Sequence, residues 1–517
     1  MTRAPRSPGL RRRTFLHGCG AAGAGLLLPG ALAGCGDTPA DTTDGGGDAD
    51  GGAPAWPVPP LDDGEVAGGV RVFRLELQPG TVDLGAGALT ASYGVNGAYL
   101  GPTLRFRRGE RVRVEVSNSL AEPSTLHWHG LAVPARSDGG PYQSIAPGAT
   151  WSAEFEVDQR AMTAWYHPHQ MHETARQVYM GMAGLIYVEE PTPPSDVPST
   201  YGVDDLPLVI QDRRIAADGT HPYSAGNTPA MHDRMAGLKG ELMLVNGTPA
   251  ARGAVPRGLV RLRVLNSSNA RLYHLGFADD RSFLQIASDG GRLAAPLTTT
   301  RVLLAPGERA ELLVDFSADA AGAAVGLRSY SGEVYPSLFT GMMGANLADA
   351  LDRTTFDVAT FVVGAPPAAP VPPPTTFEPI VRGSASDAVR TRDLTLSMGM
   401  GAVFLNGTRM TALEPVPAAI SYQIPAGDTE LWVVTNTSGM AHPLHVHNQP
   451  FQIVDVDGAP PPPALAGWKD TVIVAPGQVV RLLISFAGTP DAEYPYMFHC
   501  HILEHEDHGM MGRFFLV

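Results

Sequence analysis

The chain has 517 residues, 44% of them hydrophobic, enough for about three domains of ordinary globular composition. Its formal net charge of −15 at pH 7 argues against nucleic acid as a partner and against docking on anionic lipid by charge. Glycine (59) and proline (46) are both above ordinary usage, which favours many short strands joined by turns over long helices.

The amino terminus reads as a targeting segment rather than as fold. Arg11-Arg12-Arg13-Thr14-Phe15-Leu16 precedes a short apolar run, Ala21 to Ala33, too short to span a bilayer as a stable helix. The pattern resembles a twin-arginine export signal, and Leu32-Ala33-Gly34-Cys35 resembles a lipobox whose cysteine is lipidated. The alternative is an ordinary signal peptide with a chance cysteine. Residues 1–35 carry five arginines and no acid, so their removal makes the remainder more acidic still. Residues 36–56 lack core-forming side chains and read as a flexible acidic, glycine-rich spacer. Of three cysteines, Cys19 falls in the signal and Cys35 at its end. The exported part then keeps only Cys500, which has no partner for an internal disulfide in an oxidising compartment. A metal bound at that thiol would protect it.

Beyond the spacer, features recur at a period of about 150–170 residues. Val95-Asn96-Gly97, Val245-Asn246-Gly247 and Leu405-Asn406-Gly407 each follow an apolar stretch. Alternating strands come next, ending at Asn118, Asn266 and Asn436. Each copy then has Ala-Pro-Gly, at Pro147, Pro306 and Pro476, before another alternating strand. The expectation is an all-β chain of three consecutive Greek-key β-sandwiches: residues 57–195, 196–364 and 377–517, with a Pro-rich linker at 365–376. Three unrelated β-domains with similar turns would be the alternative.

Histidines sort by copy. The first holds His127-Trp128-His129-Gly130 and His167-Pro168-His169, and the third His442-Pro443-Leu444-His445-Val446-His447 and His499-Cys500-His501. The second has His274 alone at the matching place, so metal chemistry is assigned to the outer two and the middle one is read as a spacer. Four His-x-His pairs among 16 histidines compare with about 0.5 by chance. On a strand, residues i and i+2 share a face, so eight imidazoles can converge between the outer domains. Imidazole alone suits copper, zinc, iron or nickel. Cys500 decides: alternation turns it away from His499 and His501, toward a second site with His442, His505 and Met510. One cysteine, two histidines and a distant methionine form the blue-copper ligand set, whereas zinc would more often take several cysteines.

His-Trp-His-Gly, His-Pro-His, His-Pro-Leu-His-Val-His and the stretch from His499 to Met511 resemble the four signature motifs of the multicopper oxidases, over about residues 60–517. The resemblance implies cupredoxin-like domains and four copper ions. His442, Cys500, His505 and Met510 would hold the mononuclear blue copper. In the trinuclear cluster, His127 and His445 would hold the single ion, and His129, His167, His169, His447, His499 and His501 the coupled pair. It further implies that O2 is reduced to water by four single electrons from a reducing substrate, with Asp138 and Glu506 matching the acids used in proton delivery. The competing readings are an Asp-Gly turn residue for Asp138 and a solvated acid for Glu506. Glu504 and Asp507 are expected in solvent or as partners orienting imidazoles.

Gly467-Trp468-Lys469-Asp470 and the carboxyl-terminal motif are similar to the bacterial branch, whose cuprous oxidases carry a methionine-rich insert. Here Met342-Met343, Met398, Met400 and Met440 are scattered, and Ser438 stands where that branch has an acid. Met171, His172, Met180 and Met182 are read as structural. The expectation is a periplasmic or membrane-facing monomer, held at the membrane only through Cys35. It would oxidise phenols or aromatic amines, with Cu(I) possible. A dedicated cuprous oxidase and a non-enzymatic copper-binding or scaffold protein are the alternatives.

Overall fold

The computed structural model describes residues 57–517 except Pro193, Pro194 and Ala368. The export signal, Cys35 and the acidic spacer lie outside the described residues.

Six sheets pair into three sandwiches. In each copy one sheet has the same four-strand backbone: a hairpin strand, a strand antiparallel to it, a parallel neighbour, and an antiparallel strand beyond. In the first copy these are Leu89–Val95, Val70–Asp83, Arg111–Asn118 and Thr150–Glu156. The second uses Leu242–Val245, Asp205–Arg213, Leu259–Asn266 and Arg309–Asp315. The third uses Ala402–Leu405, Arg390–Gly399, Thr429–Asn436 and Val479–Ser485.

The recurring Asn-Gly pairs turn the chain at the end of each hairpin strand. Asn96, Asn246 and Asn406 sit at φ 55°, 50° and 51°, a left-handed conformation that asparagine tolerates. Each side chain then accepts a backbone N–H from the neighbouring strand, at Glu76, Val209 and Thr395. The strand-ending asparagines lock the Ala-Pro-Gly turns. Gly148, Gly307 and Gly477 donate to the carbonyls of Asn118, Asn266 and Asn436. The three-copy reading therefore rests on shared hydrogen bonds as well as shared spacing.

Each sandwich closes over its own core, around Phe106 and Tyr166, around Phe277 and Phe361, and around Trp432 and Phe498. In Arg111–Asn118, Val112, Val114 and Val116 alternate inward with polar residues outward. The matching strand Leu259–Asn266 is buried at every position, because its outer face meets the first sandwich. Its outward arginines are neutralised there: Arg261 pairs with Glu311 at 2.5 Å and Arg263 with Asp205 at 2.7 Å, while Thr163 of the first copy donates to Glu311.

The helices are short, and the all-β reading did not anticipate them. Met231–Ala236 and Gly341–Leu347 of the middle copy gather with Leu503–Asp507 over the Cys500 end of the third sandwich, and Ser331–Leu338 meets that sandwich where the Leu338 carbonyl accepts the Ala441 N–H. Among the described residues no helix is long and apolar enough to cross a membrane.

Candidate metal centre

Two antiparallel strand pairs bring the histidines together. In the first sandwich His127–His129 runs beside Met162–His167, with His127 directly opposite His167. In the third, His442–Val446 runs beside Tyr496–Cys500, with His445 opposite His499 and Leu444 opposite Cys500. Cross-strand partners share a face, so each register stacks imidazoles on one side and turns Cys500 to the other. The His-x-His spacing departs from simple alternation at three pairs. His169, His447 and His501 lie just past their strands, and Pro168 ends the first of these. The rings nevertheless stay 5.0–6.0 Å apart within all four pairs.

The eight imidazoles form one buried cluster between the outer sandwiches. His127 stacks on His447 at 3.8 Å between centroids, and His129 on His445 at 3.7 Å. Desolvation first, and then mutual repulsion or a nearby arginine, hold seven of the eight well below the ordinary imidazole range; His499, pulled down by burial, falls to about 4. Neutral rings with free lone pairs follow. Nδ1 is occupied by a carbonyl in four of them: Asp138 O for His127, Pro168 O for His167, Asp470 O for His445 and Cys500 O for His499, at 2.8–3.1 Å. That fixes the tautomer and leaves Nε2 as an acceptor facing inward. Nε2 of His127, His167 and His445 has no hydrogen-bond partner although buried. Nε2 of His499 lies 3.2 Å from Nε2 of both His169 and His447. Converging lone pairs in a dry site fit metal cations and little else. The rings interleave, and the geometry alone does not divide them among separate ions.

On the other face, Cys500 Sγ lies 3.5 Å from His442 Nδ1 and 3.6 Å from His505 Nδ1, all three buried. Burial pushes the thiol well above its ordinary range, so a cation is needed to hold it as thiolate. Met510 is buried in the same core, and its carbonyl accepts the Cys500 N–H. Both outer ring nitrogens are tied: His442 Nε2 to Ser438 Oγ at 2.9 Å, and His505 Nε2 to the Met235 carbonyl at 3.0 Å. Ser438, noted from the sequence as a missing acid, thus orients a candidate ligand.

Neither acid assigned from the motifs is a bystander. Asp138 is buried and accepts from His447 Nδ1 at 2.8 Å. Glu506 is buried with its oxygens 3.2 Å from His169 Nδ1 and His499 Nδ1. Burial raises both carboxyls well above their usual range. Glu504 differs from expectation: its carboxylate is buried, touches no imidazole and takes hydrogen bonds from Tyr223, Asn269 and the Leu238 N–H, while its backbone carbonyl lies 2.6 Å from His508 Nδ1. Asp507 accepts the N–H groups of Thr174 and Ala175. His172 bonds to the Asp507 and Thr411 carbonyls, and Met180 and Met182 are buried, in line with structural roles. His274 stays outside the cluster, beside Glu333 at 3.3 Å.

Two partners escaped the motif reading. Trp165 stacks on His167 at 4.2 Å. Asp470 Oδ1 lies 3.1 Å from His129 Nε2, and its other oxygen binds Arg309. Asp470 stood in a phrase noted only as a branch marker.

Models of the multicopper oxidase family match residues 76–193 and 390–516. The chain is 34% identical to multicopper oxidase mco of Staphylococcus haemolyticus, over 86% of this chain and 88% of that one. It belongs to the multicopper oxidase family. Solved members of similar shape include a bacterial laccase-like multi-copper oxidase, CueO, from Ochrobactrum sp. (TM-score 0.77, 34% identity, 89% of this chain and 100% of that one). A laccase from Pediococcus acidilactici superposes with a TM-score of 0.78 at 32% identity, over 91% of this chain and 95% of that one. Relatives also include cell division protein FtsP of Escherichia coli, 35% identical over 88% of this chain and 91% of that one. The likeness to multicopper oxidases agrees with three cupredoxin-like sandwiches and implies copper as the metal.

Proposed function

We propose that the chain is a copper-dependent oxidase that takes single electrons from a reducing substrate and passes four of them to O2, making water. The observation that carries this reading is the back-to-back arrangement at Cys500. Its sulfur faces His442 and His505, while on either side His499 meets His169 and His501 meets His129 in the imidazole cluster. His442, Cys500, His505 and Met510 would hold a mononuclear blue copper. His127 and His445 would hold one ion of a trinuclear cluster, and His129, His167, His169, His447, His499 and His501 the other two. Copper in these sites supplies one-electron redox chemistry and O2 reduction, for which thiolate, imidazole and thioether are suitable donors.

The chain's own residues do the rest. Cys500 joins the two sites through one peptide link on each side. Burial keeps bulk water out of the cluster. Asp138 orients His447, Glu506 stands 3.2 Å from the Nδ1 atoms of His169 and His499, and both carboxyls are placed to hand protons toward the cluster. Arg12-Arg13 and Cys35 support an exported protein anchored by lipid, facing the periplasm or the outside.

For the reductant, phenols and aromatic amines are favoured by the laccase-like neighbours, of which the Ochrobactrum protein is described as acting on lignin model compounds. Cu(I) is the second reading. Met231, Met342, Met343 and Met400 are exposed, and the helix bearing Met231 also carries the Met235 carbonyl that caps His505. Copper-loaded full-length protein is to be assayed for metal content, visible absorbance and oxygen uptake, with a dimethoxyphenol and with Cu(I) in separate reactions. Blue colour with oxygen uptake supports the oxidase. Bound copper without either leaves a non-enzymatic role, in a family where one relative is named a cell division protein.

A further inference from the structure

The middle sandwich holds none of the candidate ligands, yet one of its turns touches the cluster. In Ala305-Pro306-Gly307-Glu308-Arg309, Gly307 has φ +83° and lies against two imidazoles. A methyl group on its Cα would sit 2.9 Å from His501 Cδ2 and Nε2 and 3.1 Å from His129 Cε1, closer than such atoms pack. His501 Nε2 and His129 Nδ1 of these two rings approach to 3.2 Å. The equivalent turns of the other copies share the backbone and not the contact. Gly148 and Gly477 have φ +75° and +77° and the same hydrogen bond to an asparagine carbonyl, and a methyl group there meets nothing within 4 Å.

Two residues on, Arg309 is fully buried and reaches all three sandwiches. It donates to both oxygens of Asp470 at 2.8 and 2.7 Å, to the Thr163 carbonyl at 3.0 Å, and to the Gly307 and Asp289 carbonyls. Asp470 presents Oδ1 to His129 and its carbonyl to His445 Nδ1. Lys469 bridges Asp289 and Glu308 beside it. Gly130, of the first histidine motif, has φ +93° and no room for a side chain: a methyl group there would lie 2.5 Å from Arg309 Nη2.

We infer that the middle domain builds one wall of the metal cluster: Gly307 sets how closely His129 and His501 approach, and Arg309 holds Asp470 as a positioning residue for His129 and His445. This corrects the spacer reading, and it rests on the proposal that the cluster binds copper. A bidentate guanidinium–carboxylate pair sealed from solvent is a rigid prop, and residues that orient metal-binding imidazoles are worth about 10- to 100-fold in metal affinity.

The test compares Gly307→Ala with Gly148→Ala and Gly477→Ala in the full chain, since all three add the same left-handed strain. Copper per chain is measured against graded chelator, with the electron paramagnetic resonance spectrum, blue absorbance and melting temperature alongside. The expected result is a small fall in melting temperature for the two controls and a larger one for Gly307→Ala, which adds the contact with the rings to the same backbone strain. Only Gly307→Ala should lose cluster copper at about 10- to 100-fold lower chelator with an altered resonance, its blue absorbance retained. Should Gly307→Ala fail to fold, the isosteric Asp470→Asn takes its place against the same two controls. Copper retention and resonance matching the controls would overturn the inference. A wild-type chain that takes up no cluster copper would instead remove the functional proposal beneath it.

Discussion

Asp138 of the first sandwich accepts a hydrogen bond from His447 of the third, across 309 residues of chain. The carboxylate has no arginine or lysine beside it, so its one strong partner is the imidazole, and its backbone carbonyl takes His127 Nδ1 as well. One residue therefore steadies a ring from each side of the cluster. Asp138→Asn keeps an acceptor for His447 and removes the exchangeable proton. Oxygen uptake is expected to fall about 100-fold with copper content and colour preserved, measured with saturating dimethoxyphenol. Unchanged turnover would return Asp138 to the role of a turn residue.

Cys500→Ser separates the two sites. Serine fits the space, and burying a hydroxyl in place of the thiol costs about 1–2 kcal/mol, well short of unfolding a chain this size. The variant is expected to fold, to bind one copper fewer and to lose the blue absorbance. Turnover should fall on the order of 10³-fold or more. Metal analysis and a visible spectrum check it, and a coloured, active serine variant would sink the wiring argument.

The Glu311 pair predicts a pH dependence away from the metals. Burial alone would raise this carboxyl. The attraction of Arg261 and Arg263, with hydrogen bonds from Thr163 and Arg261, reverses that and holds it at about 2 against an ordinary 4.5. A depressed folded-state value means the stabilisation is complete above about 4.5 and is lost as pH falls toward about 2. Glu311→Gln should cost about 3 kcal/mol at neutral pH and flatten the acid side of the stability curve. Melting temperatures from pH 7 down to pH 2.5 test this; parallel curves for the two proteins would contradict it.

Ser438 makes a prediction about substrate. Its hydroxyl is 2.9 Å from His442 Nε2, under the loop where Thr340 N bonds the Gly439 carbonyl. Ser438→Asp places an anion beside His442 and should raise the ratio of Cu(I) to phenol turnover roughly tenfold, the worth of about 1.4 kcal/mol. Paired oxygen-uptake assays give the ratio, and a fall would exclude entry of Cu(I) by this side.

What could be read from the sequence was whatever is local. His-x-His spacing, the odd position of Cys500 between two histidines, and the three Asn-Gly and Ala-Pro-Gly turns are all patterns within a few residues. They sufficed for the fold class, and the residues they picked out are the ones the structure brings together. Asp470, Arg309 and Gly307 belong to no such pattern. Arg309 and Asp470 meet across 161 residues, and only packing three sandwiches together puts them beside His129. The helices over Cys500 were missed for a related reason. Gly341–Leu347 is two glycines among seven residues, a poor intrinsic helix former held by its tertiary neighbours.

The cluster is divided between the first and last copies, and the final ligands stand within the last twenty residues of the chain. His127, His129 and His167 already group within the first copy, but His127 with His445 and His447, and His169 with His447 and His499, form only when both ends of the chain are present. The complete cluster of rings therefore comes together late, once the strand Met511–Leu516 has zipped onto Tyr496–Cys500. Completion of the cluster thus acts as an inspection of the finished product: a misassembled chain lacks part of the ring set.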